Sequence, residues 1–356
     1  MIKILHSADW HLDSPLQGRT EEQARYLRRE LLQIPGKVAQ LCRDHRCDMM
    51  LLAGDLFDGP YTADSVQAVR AALQEVGIPV FITPGNHDFV GADSPWLTEL
   101  WPENVHIFTR SAMESVEIES LGCRVYGAGF SSMDCDPLLD SFCATEDMTA
   151  IGILHGDPTQ ANSPYCPISQ TQVAASGLKY LALGHIHKGG HFRAGNTLCA
   201  WPGCPMGRGY DEQGEKGVLV VTIDETADAQ FYTLNTPRFY DWEAPVATSA
   251  EDTLEQLLPP VGNDHFYRIT LTGECEKPNL DALTVQFNRF SNLLLRDKTV
   301  PPLDIWRSLG EDSFEGTYFT LLRQALETAD PQEEEKILLA AKICRQILDG
   351  REVVLP

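Results

Sequence analysis

The amino-acid sequence predicts an α/β protein in which two packed β-sheets are covered by helices. The chain has 356 residues, of which 43% are hydrophobic and 22% charged, an ordinary composition for a folded protein with a sizeable core. Short apolar runs rich in β-formers recur along the chain, and helical patterns alternate with the first of them, which is typical of layered α/β domains. The predicted strands are Ile2–His6, Asp48–Ala53, Pro79–Thr83, Val105–Phe108, Arg124–Ala128, Ile151–His155, Tyr180–Gly184, Leu198–Trp201 and Val218–Ile223.

Helices are predicted between the first three strands. One begins at Glu21, where Thr20 is the N-cap and Gln23 completes a capping box. We expect it to end or kink at Pro35-Gly36, because proline cannot donate the backbone hydrogen bond that a helix interior needs. A second helix is predicted over residues 63–76.

The composition changes near residue 236, which predicts three segments: a domain over 1–236, a small domain over 237–302 and a helical segment over 303–356. The stretch 241–264 carries acidic residues and three prolines but no lysine or arginine, and we interpret it as a connector with one short helix. A strand over 265–272, a helix over 280–288 and a strand over 292–296 predict a β-α-β unit, and hence a small α+β domain.

A final helix is predicted to open at Asp330-Pro331, an N-cap followed by proline at the first helical position, and to close at Gly350. It carries a broad apolar stripe, which must be covered. The stripe consists of Ile337, Ala340, Ala341, Ile343, Cys344, Ile347 and Leu348.

Charge and hydropathy limit the functions that the chain can have. Lysine and arginine total 28 against 51 aspartate and glutamate, so the net charge of −23 repels polyanions and any nucleic acid must be held by a local site or through a partner. No apolar run approaches the ~20 residues of a membrane span, so no membrane partner is expected. The N-terminus becomes polar too soon for a secretory signal, which predicts a cytoplasmic protein.

Five polar clusters each follow directly on a strand-like run. Singly they have structural explanations: Asp9 or Asp55 could cap a helix, and His155 or His185 could be a buried, hydrogen-bonded histidine. Together they indicate a site, because loops at strand ends converge at one edge of an α/β sheet. Their imidazole, carboxylate and amide groups suit divalent manganese, iron or zinc. The clusters are Asp9-x-His11, Gly54-Asp55-x-x-Asp58, Gly85-Asn86-His87-Asp88, His155-Gly156-Asp157 and Gly184-His185-x-His187.

This ordered set resembles the calcineurin-like metallophosphoesterase superfamily. More narrowly, residues 5–12, 53–58, 180–188 and 202–208 resemble the SbcD-type DNA repair nuclease subunit of bacteria, and residues 12–15 and 350–353 resemble its YhaO-like branch. The resemblance implies a four-layer α/β/β/α metallophosphoesterase sandwich with a capping domain and a C-terminal helix. It covers the first 220 residues well and the remainder more loosely.

Matching positions imply a pair of divalent metal ions, with manganese expected and iron or zinc left open. One ion would be held by Asp9, His11, Asp55 and His187, and the other by Asp55, Asn86, His155 and His185, with Asp55 as the bridge. His87 matches the catalytic histidine of the family, and Asp88 is expected to orient its ring. At position 58 some nucleases of the family carry a second histidine, whereas this chain has Asp58. The preference for exonuclease or endonuclease cleavage is therefore left open.

Six basic residues near the clusters are candidates for contacts with substrate phosphates. Arg25, Arg28 and Arg29 share one predicted helix face, which is also typical of a solvated face. Lys188, Arg193 and Arg208 follow the last cluster.

The resemblance implies a metal-dependent phosphodiesterase that cuts DNA, as exonuclease or endonuclease, in repair with an SMC-like, SbcC-type ATPase; a homodimer is left open. A stand-alone phosphoesterase of a nucleotide or phospholipid-type substrate fits the acidic charge, and a nonenzymatic scaffold is the third alternative. The final helix either packs on its own domain or grips the coiled coil of the ATPase.

Overall fold

The computed structural model describes residues 1–145 and 147–353, and the chain divides into two compact units, Met1–Tyr240 and Asp241–Pro356. The last residues of the predicted helical segment, 354–356, lie outside the described residues. Each unit is described by itself.

The first unit contains strands β1 to β12 and helices α1 to α5. The strands are β1 (Ile2–Ser7), β2 (Met49–Leu52), β3 (Val80–Ile82), β4 (Val105–Ile107), β5 (Glu114–Ile118), β6 (Cys123–Gly127), β7 (Thr149–His155), β8 (Tyr180–Gly184), β9 (Lys188–Ala194), β10 (Thr197–Gly203), β11 (Gly217–Ile223) and β12 (Ala227–Thr233). The helices are α1 (Glu21–Leu32), α2 (Ile34–Asp44), α3 (Ala63–Val76), α4 (Pro95–Thr98) and α5 (Gln170–Ala175).

Two sheets form the centre of this unit. In the first, the strand order is β12-β11-β1-β2-β3-β4, with β1 to β4 parallel and β11 antiparallel to β1. In the second, the order is β5-β6-β7-β8-β10-β9, with β6, β7, β8 and β10 parallel. The parallel strands of each sheet therefore send their carboxyl ends to one edge.

The main core lies between the two sheets. One continuous apolar cluster takes residues from β1, β2 and β11 of the first sheet and from β6, β7, β8 and β10 of the second. Alternate residues such as Leu5, Met50 and Leu52 are also buried, which puts the crossover helices α1, α2 and α3 on the other side of the first sheet. A second cluster covers the outer face of the second sheet and includes Val173 of α5. The layered α/β fold predicted from the sequence is confirmed.

The predicted end of the first helix is confirmed, but it lies at Leu32, before Pro35-Gly36, and a second helix that the sequence did not predict follows at once. Helix α1 ends at Leu32, and α2 starts at Ile34 with Pro35 in its first turn, where the missing N–H has no partner to lose. The Thr20–Gln23 capping box is formed.

Strands β5, β9, β12 and β13 (Phe239–Pro245) were not predicted. The first three are sheet edges, and β9 reads Lys-Gly-Gly-His-Phe-Arg-Ala, so glycine and charge hide the apolar alternation that identifies an internal strand. The interpretation of residues 241–264 as a connector is corrected at its start, because residues 241–245 belong to β13.

The second unit begins within β13 and contains a three-stranded sheet of order β13-β14-β15, which is followed by helices. Its elements are α6 (Ala250–Leu257), β14 (Phe266–Thr272), α7 (Leu280–Gln286), β15 (Asn292–Asp297), α8 (Phe314–Leu326) and α9 (Pro331–Leu348). Strands β14 and β15 are parallel and joined through α7, which confirms the predicted β-α-β unit. Within the described residues, none of the helices is long and apolar enough to cross a lipid bilayer.

Helix α9 is capped as predicted and packs partly on α8. The Asp330 carboxylate accepts hydrogen bonds from the backbone N–H groups of Gln332 and Glu333, both at 2.9 Å. The buried Arg345 guanidinium lies 4.1 Å from the Phe319 ring centre and donates to Glu315 Oε2 at 2.9 Å. Arg345 thus joins the two helices through stacking and charge.

One buried hydrogen-bonded pair links the two sheets of the first unit. His6 of β1 donates from Nε2 to the Leu183 carbonyl at 3.1 Å, so its Nδ1 accepts from the Tyr180 hydroxyl of β8 at 2.7 Å. Burial lowers the pKa of His6 to about 3, and the ring stays neutral. His6 is therefore a structural histidine.

Tyr180→Phe should lower the free energy of unfolding by about 1–3 kcal/mol, because it leaves the buried Nδ1 of His6 without a donor. Urea unfolding of the variant, compared with Tyr232→Phe at a partly exposed hydroxyl, measures the difference. Equal stability of the two variants would mean that this pair does not hold the sheets together.

Candidate metal centre

The predicted polar clusters meet where the carboxyl ends of the parallel strands of both sheets approach one another. Asp9 and His11 follow β1, Asp55 follows β2, and Asn86 follows β3. From the second sheet, His155 ends β7, and His185 and His187 follow β8. Five of these side chains are buried and the last two are half-buried.

One half of the site is formed by Asp9, His11 and His187, whose ligand-type atoms all lie within 4.8 Å of one another. The Nε2 atoms of His11 and His187 are 2.9 Å apart. His11 Nε2 also lies 3.8 Å from Asp55 Oδ2.

The other half is formed around Asn86. Its Oδ1 lies 3.0 Å from His155 Nε2 and 3.2 Å from His185 Nδ1. His155 Nε2 is 3.4 Å from Asp55 Oδ2, the same oxygen that approaches His11. The Asp55 carboxylate therefore stands between the two halves, the position that the bridging role requires.

Backbone strain is concentrated at the site. Asp9, His11, Asp55 and His185 have positive φ angles of 54°, 49°, 52° and 94°, a region that side chains other than glycine seldom adopt. Hydrogen bonds from the Asp9 N–H to the Gly54 carbonyl and from the His11 N–H to the Asp55 carbonyl, both 3.0 Å, join the first two loops. A Cβ atom on Gly85 would lie 2.3 Å from Asp55 Oδ1, so glycine is required there.

His87 lies beside this cluster, and its ring is oriented by Asp58. His87 Nδ1 is 2.9 Å from Asp58 Oδ1, and this hydrogen bond raises the pKa of His87. The expectation that Asp88 orients the ring is corrected. The buried Asp88 carboxylate instead accepts hydrogen bonds from the backbone N–H groups of Gly85, Asp55, Leu56 and Phe57 at 2.7–3.3 Å.

The physical reason is that a buried carboxylate must accept hydrogen bonds, and the backbone N–H groups of the surrounding loops supply them to Asp88. Asp88 thereby fastens the β3 loop to the β2 loop, while Asp58, four residues after Gly54, reaches the exposed ring.

Residues 2–189 match the family model of calcineurin-like phosphoesterases, more than half of the chain. This chain is a calcineurin-like phosphoesterase. The family acts on phosphate esters with divalent metals.

Relatives extend this similarity. The uncharacterized metallophosphoesterase YhaO of Bacillus subtilis strain 168 is 32% identical over 237 residues, which are 62% of this chain and 57% of YhaO. The SbcD component of the nuclease SbcCD from the same strain is 28% identical over 265 residues, 62% of this chain and 66% of SbcD. The SbcD component from Staphylococcus epidermidis is 21% identical over 309 residues, 76% of this chain and 79% of that protein. The phosphoesterase chain thus covers less than two thirds of the length of the first two relatives.

The donor set of this phosphoesterase fits divalent cations. The buried Asp9 Oδ2 has no hydrogen-bond partner among the residues that the structure describes, and a buried carboxylate oxygen needs a cation or a donor. Burial lowers the pKa of His155, but Asp55 outweighs it and raises that pKa to about 9. The carboxylates around His155 thus favour positive charge at this position, and a bound cation would compete with a proton for it.

The sequence interpretation missed Glu212, which holds His187 from behind. Glu212 Oε1 lies 2.8 Å from His187 Nδ1, leaving Nε2 to face the centre. Arg208 donates to Glu212 Oε1 at 2.6 Å and approaches Asp58 Oδ2 at 3.3 Å. The single signal for Glu212 in the sequence is a carboxylate four residues after the candidate Arg208.

The six predicted phosphate contacts are spread over the first unit. Arg208 lies in the centre, and Lys188 begins β9 directly after His187. Arg193 donates to the Ala227 carbonyl, and Arg25 pairs with Glu21 at 3.0 Å. Like Arg25, the exposed Arg28 and Arg29 of α1 make no contact with the centre among the described residues.

Asp55→Asn should lower metal occupancy in both halves of the centre, because a neutral amide replaces the anion that lies between them. Metal content per chain, measured by mass spectrometry after dialysis, tests this, with the exposed Asp134→Asn as the matched control. Two metal ions per chain in Asp55→Asn would contradict the bridging role.

Proposed function

We propose that this chain is a divalent-metal-dependent phosphodiesterase that cuts DNA as the nuclease subunit of a complex with an SMC-like ATPase. The observation that carries the proposal is the convergence of the predicted ligand residues beside His87, in a chain that resembles two nuclease subunits. The presence of all seven expected ligand residues and His87 disfavours a scaffold without activity.

The ligands on this proposal are those implied by the matching positions, with Asp55 shared. Two divalent cations bound there would make hydroxide available near neutral pH and neutralise phosphate oxygens during in-line attack. His87, held at Nδ1 by Asp58, has its Nε2 left to donate a proton to a phosphate or leaving oxygen. Arg208, held by Asp58 and Glu212, supplies a fixed positive charge near the same place.

A stand-alone phosphoesterase for a small substrate is the second candidate. The net charge of −23 favours it, since bulk repulsion weakens binding of a long polyanion more than of a small one. Under the DNA proposal, the partner and the local cations must overcome that repulsion.

Manganese-dependent digestion of end-labelled duplex and single-stranded DNA, beside a panel of small phosphodiesters, separates the two candidates. We expect DNA cleavage that increases when the ATPase partner and ATP are added. Hydrolysis confined to the small substrates, even with partner and ATP, would overturn the nuclease proposal.

His87→Ala should keep its metal content and lose ~10²- to 10⁴-fold in turnover, because a positioned proton donor typically contributes that much. His106→Ala, which removes an exposed imidazole on an edge strand, is the matched control and should behave as wild type. Loss of metal from His87→Ala would instead make His87 a ligand.

Helices α8 and α9 carry the apolar surface that we propose for docking the coiled coil of the ATPase. The outer side chains of this surface are exposed, including Phe314 at 82% and Ile347 at 60%, whereas Ala341 is buried and Cys344 contacts the Tyr318 hydroxyl at 3.1 Å. An exposed apolar helix face at regular spacing suits a helix-in-groove partner.

Ile347→Asp combined with Leu348→Asp should abolish copurification with the ATPase and leave metal content and thermal stability nearly unchanged, because both side chains are exposed. Glu334→Asp on the same helix serves as the control. Global unfolding, or wild-type affinity for the partner, would mean that α9 is an internal brace.

A further inference from the structure

A pocket of about 450 Å³ adjoins the metal centre and has no part in the chemistry described above. It lies within the first unit, among β9 to β12, and His187 forms one end of it. We call it the side pocket and define it by His187, Lys188, Trp201, Lys216 and Phe231. His187 is the residue that the lining shares with the candidate ligands of the centre.

Two aromatic rings form its walls. Trp201 of β10 donates from Nε1 to the Lys188 carbonyl at 2.9 Å, which fixes the indole ring. A Cβ atom on Gly190 would lie 2.5 Å from Trp201 Cζ2, so the glycine of β9 makes room for this ring. Phe231 of β12, which is 41% exposed, also belongs to the lining. The pocket therefore presents flat apolar faces to a ligand.

Two ammonium groups complete the lining. Lys216 is only 6% exposed, and its Nζ donates to the His187 carbonyl at 3.4 Å. Within the described part of the chain, neither Lys216 nor the exposed Lys188 forms an ion pair. Glu215, also in the lining, is already paired with Arg238 at 3.3 Å. A buried ammonium with a single carbonyl partner is costly, which favours binding of an anionic group beside Lys216.

We propose that the side pocket binds the nucleoside next to the phosphodiester held at the metal centre. The base stacks on Trp201 and Phe231, and phosphate oxygens meet Lys216 and Lys188. This inference rests on the proposed phosphodiesterase function and specifies its substrate class. A phospholipid headgroup such as choline is disfavoured, because its cation would face the two lysines.

The pocket also selects the state of the nucleic acid. A base can stack on a side chain only when it has left its own helical stack, so single strands and frayed ends are favoured over internal duplex. Sequence preference is expected to be weak, because every base has a flat π-face.

The test compares two substrates with the same leaving group: a thymidine p-nitrophenyl phosphate diester, in its 3′ or 5′ form, and methyl p-nitrophenyl phosphate. With manganese, the wild type should hydrolyse the 3′ or the 5′ thymidine diester, whichever is faster, with a kcat/KM at least ~10-fold above that for methyl p-nitrophenyl phosphate. A ratio of this size is expected for stacking of one base. Phe231→Ala should bring this ratio close to one. Tyr232→Ala, the next residue on β12, whose ring lies 4.1 Å from that of His45, is the matched control and should keep it.

Lys188→Met tests the cation at an exposed position, and should raise the KM for both diesters by a similar factor, because each presents one phosphate, and leave their ratio unchanged. A wild-type ratio near one, or an unchanged ratio in Phe231→Ala, overturns the nucleoside assignment even if DNA is cut. If neither diester is hydrolysed, the phosphodiesterase proposal fails separately. Calorimetric titration with thymidine monophosphate then tests whether the side pocket binds a nucleoside. Binding to Phe231→Ala that is ~10-fold weaker than to the wild type supports this assignment, and equal binding overturns it.

Discussion

The Asp55 carboxylate is the point on which the arrangement of the centre depends. One of its oxygens lies 3.8 Å from a histidine of the first sheet and 3.4 Å from a histidine of the second. Two ligand sets can share an anion only if the two sheets keep a fixed separation. That separation follows from the apolar cluster between them and from the His6–Tyr180 hydrogen bond, which joins β1 of the first sheet to β8 of the second.

The loops that carry the centre are held in conformations that the chain would not adopt alone. Positive φ angles at four ligand-type residues cost free energy, and buried hydrogen bonds to Asp88 and between the first two loops offset that cost. Rigid loops of this kind keep negative groups close together before any cation arrives. The raised pKa of His155 is a consequence of that enforced proximity.

An acidic protein that handles phosphate esters must provide positive charge locally. Arg208 does so within the centre, where Glu212 and Asp58 fix its guanidinium, and Lys188 and Lys216 do so on one flank. These cations are few and close together. Under the proposed function they favour recognition of a phosphate with its attached nucleoside over nonspecific attraction of a long duplex, which leaves a role for a partner in bringing DNA to the site.

The sequence by itself determined the internal strands, the crossover helices and the side chains that would gather at the strand ends, because apolar runs and the polar residues after them are local signals. It identified the edge strands β4 and β15 but missed β5, β9 and β12. Strand β9 carries glycines and charged residues and β12 carries polar residues, so neither shows a clear apolar pattern. Only the tertiary structure decided which carboxylate orients His87. Asp88 is next to His87 in the sequence, but it accepts hydrogen bonds from backbone N–H groups of the loop after β2, and Asp58 from that loop contacts the His87 ring. Glu212 and the side pocket were invisible for the same reason, because their partners come from strands far apart in the chain and meet only when the two sheets pack.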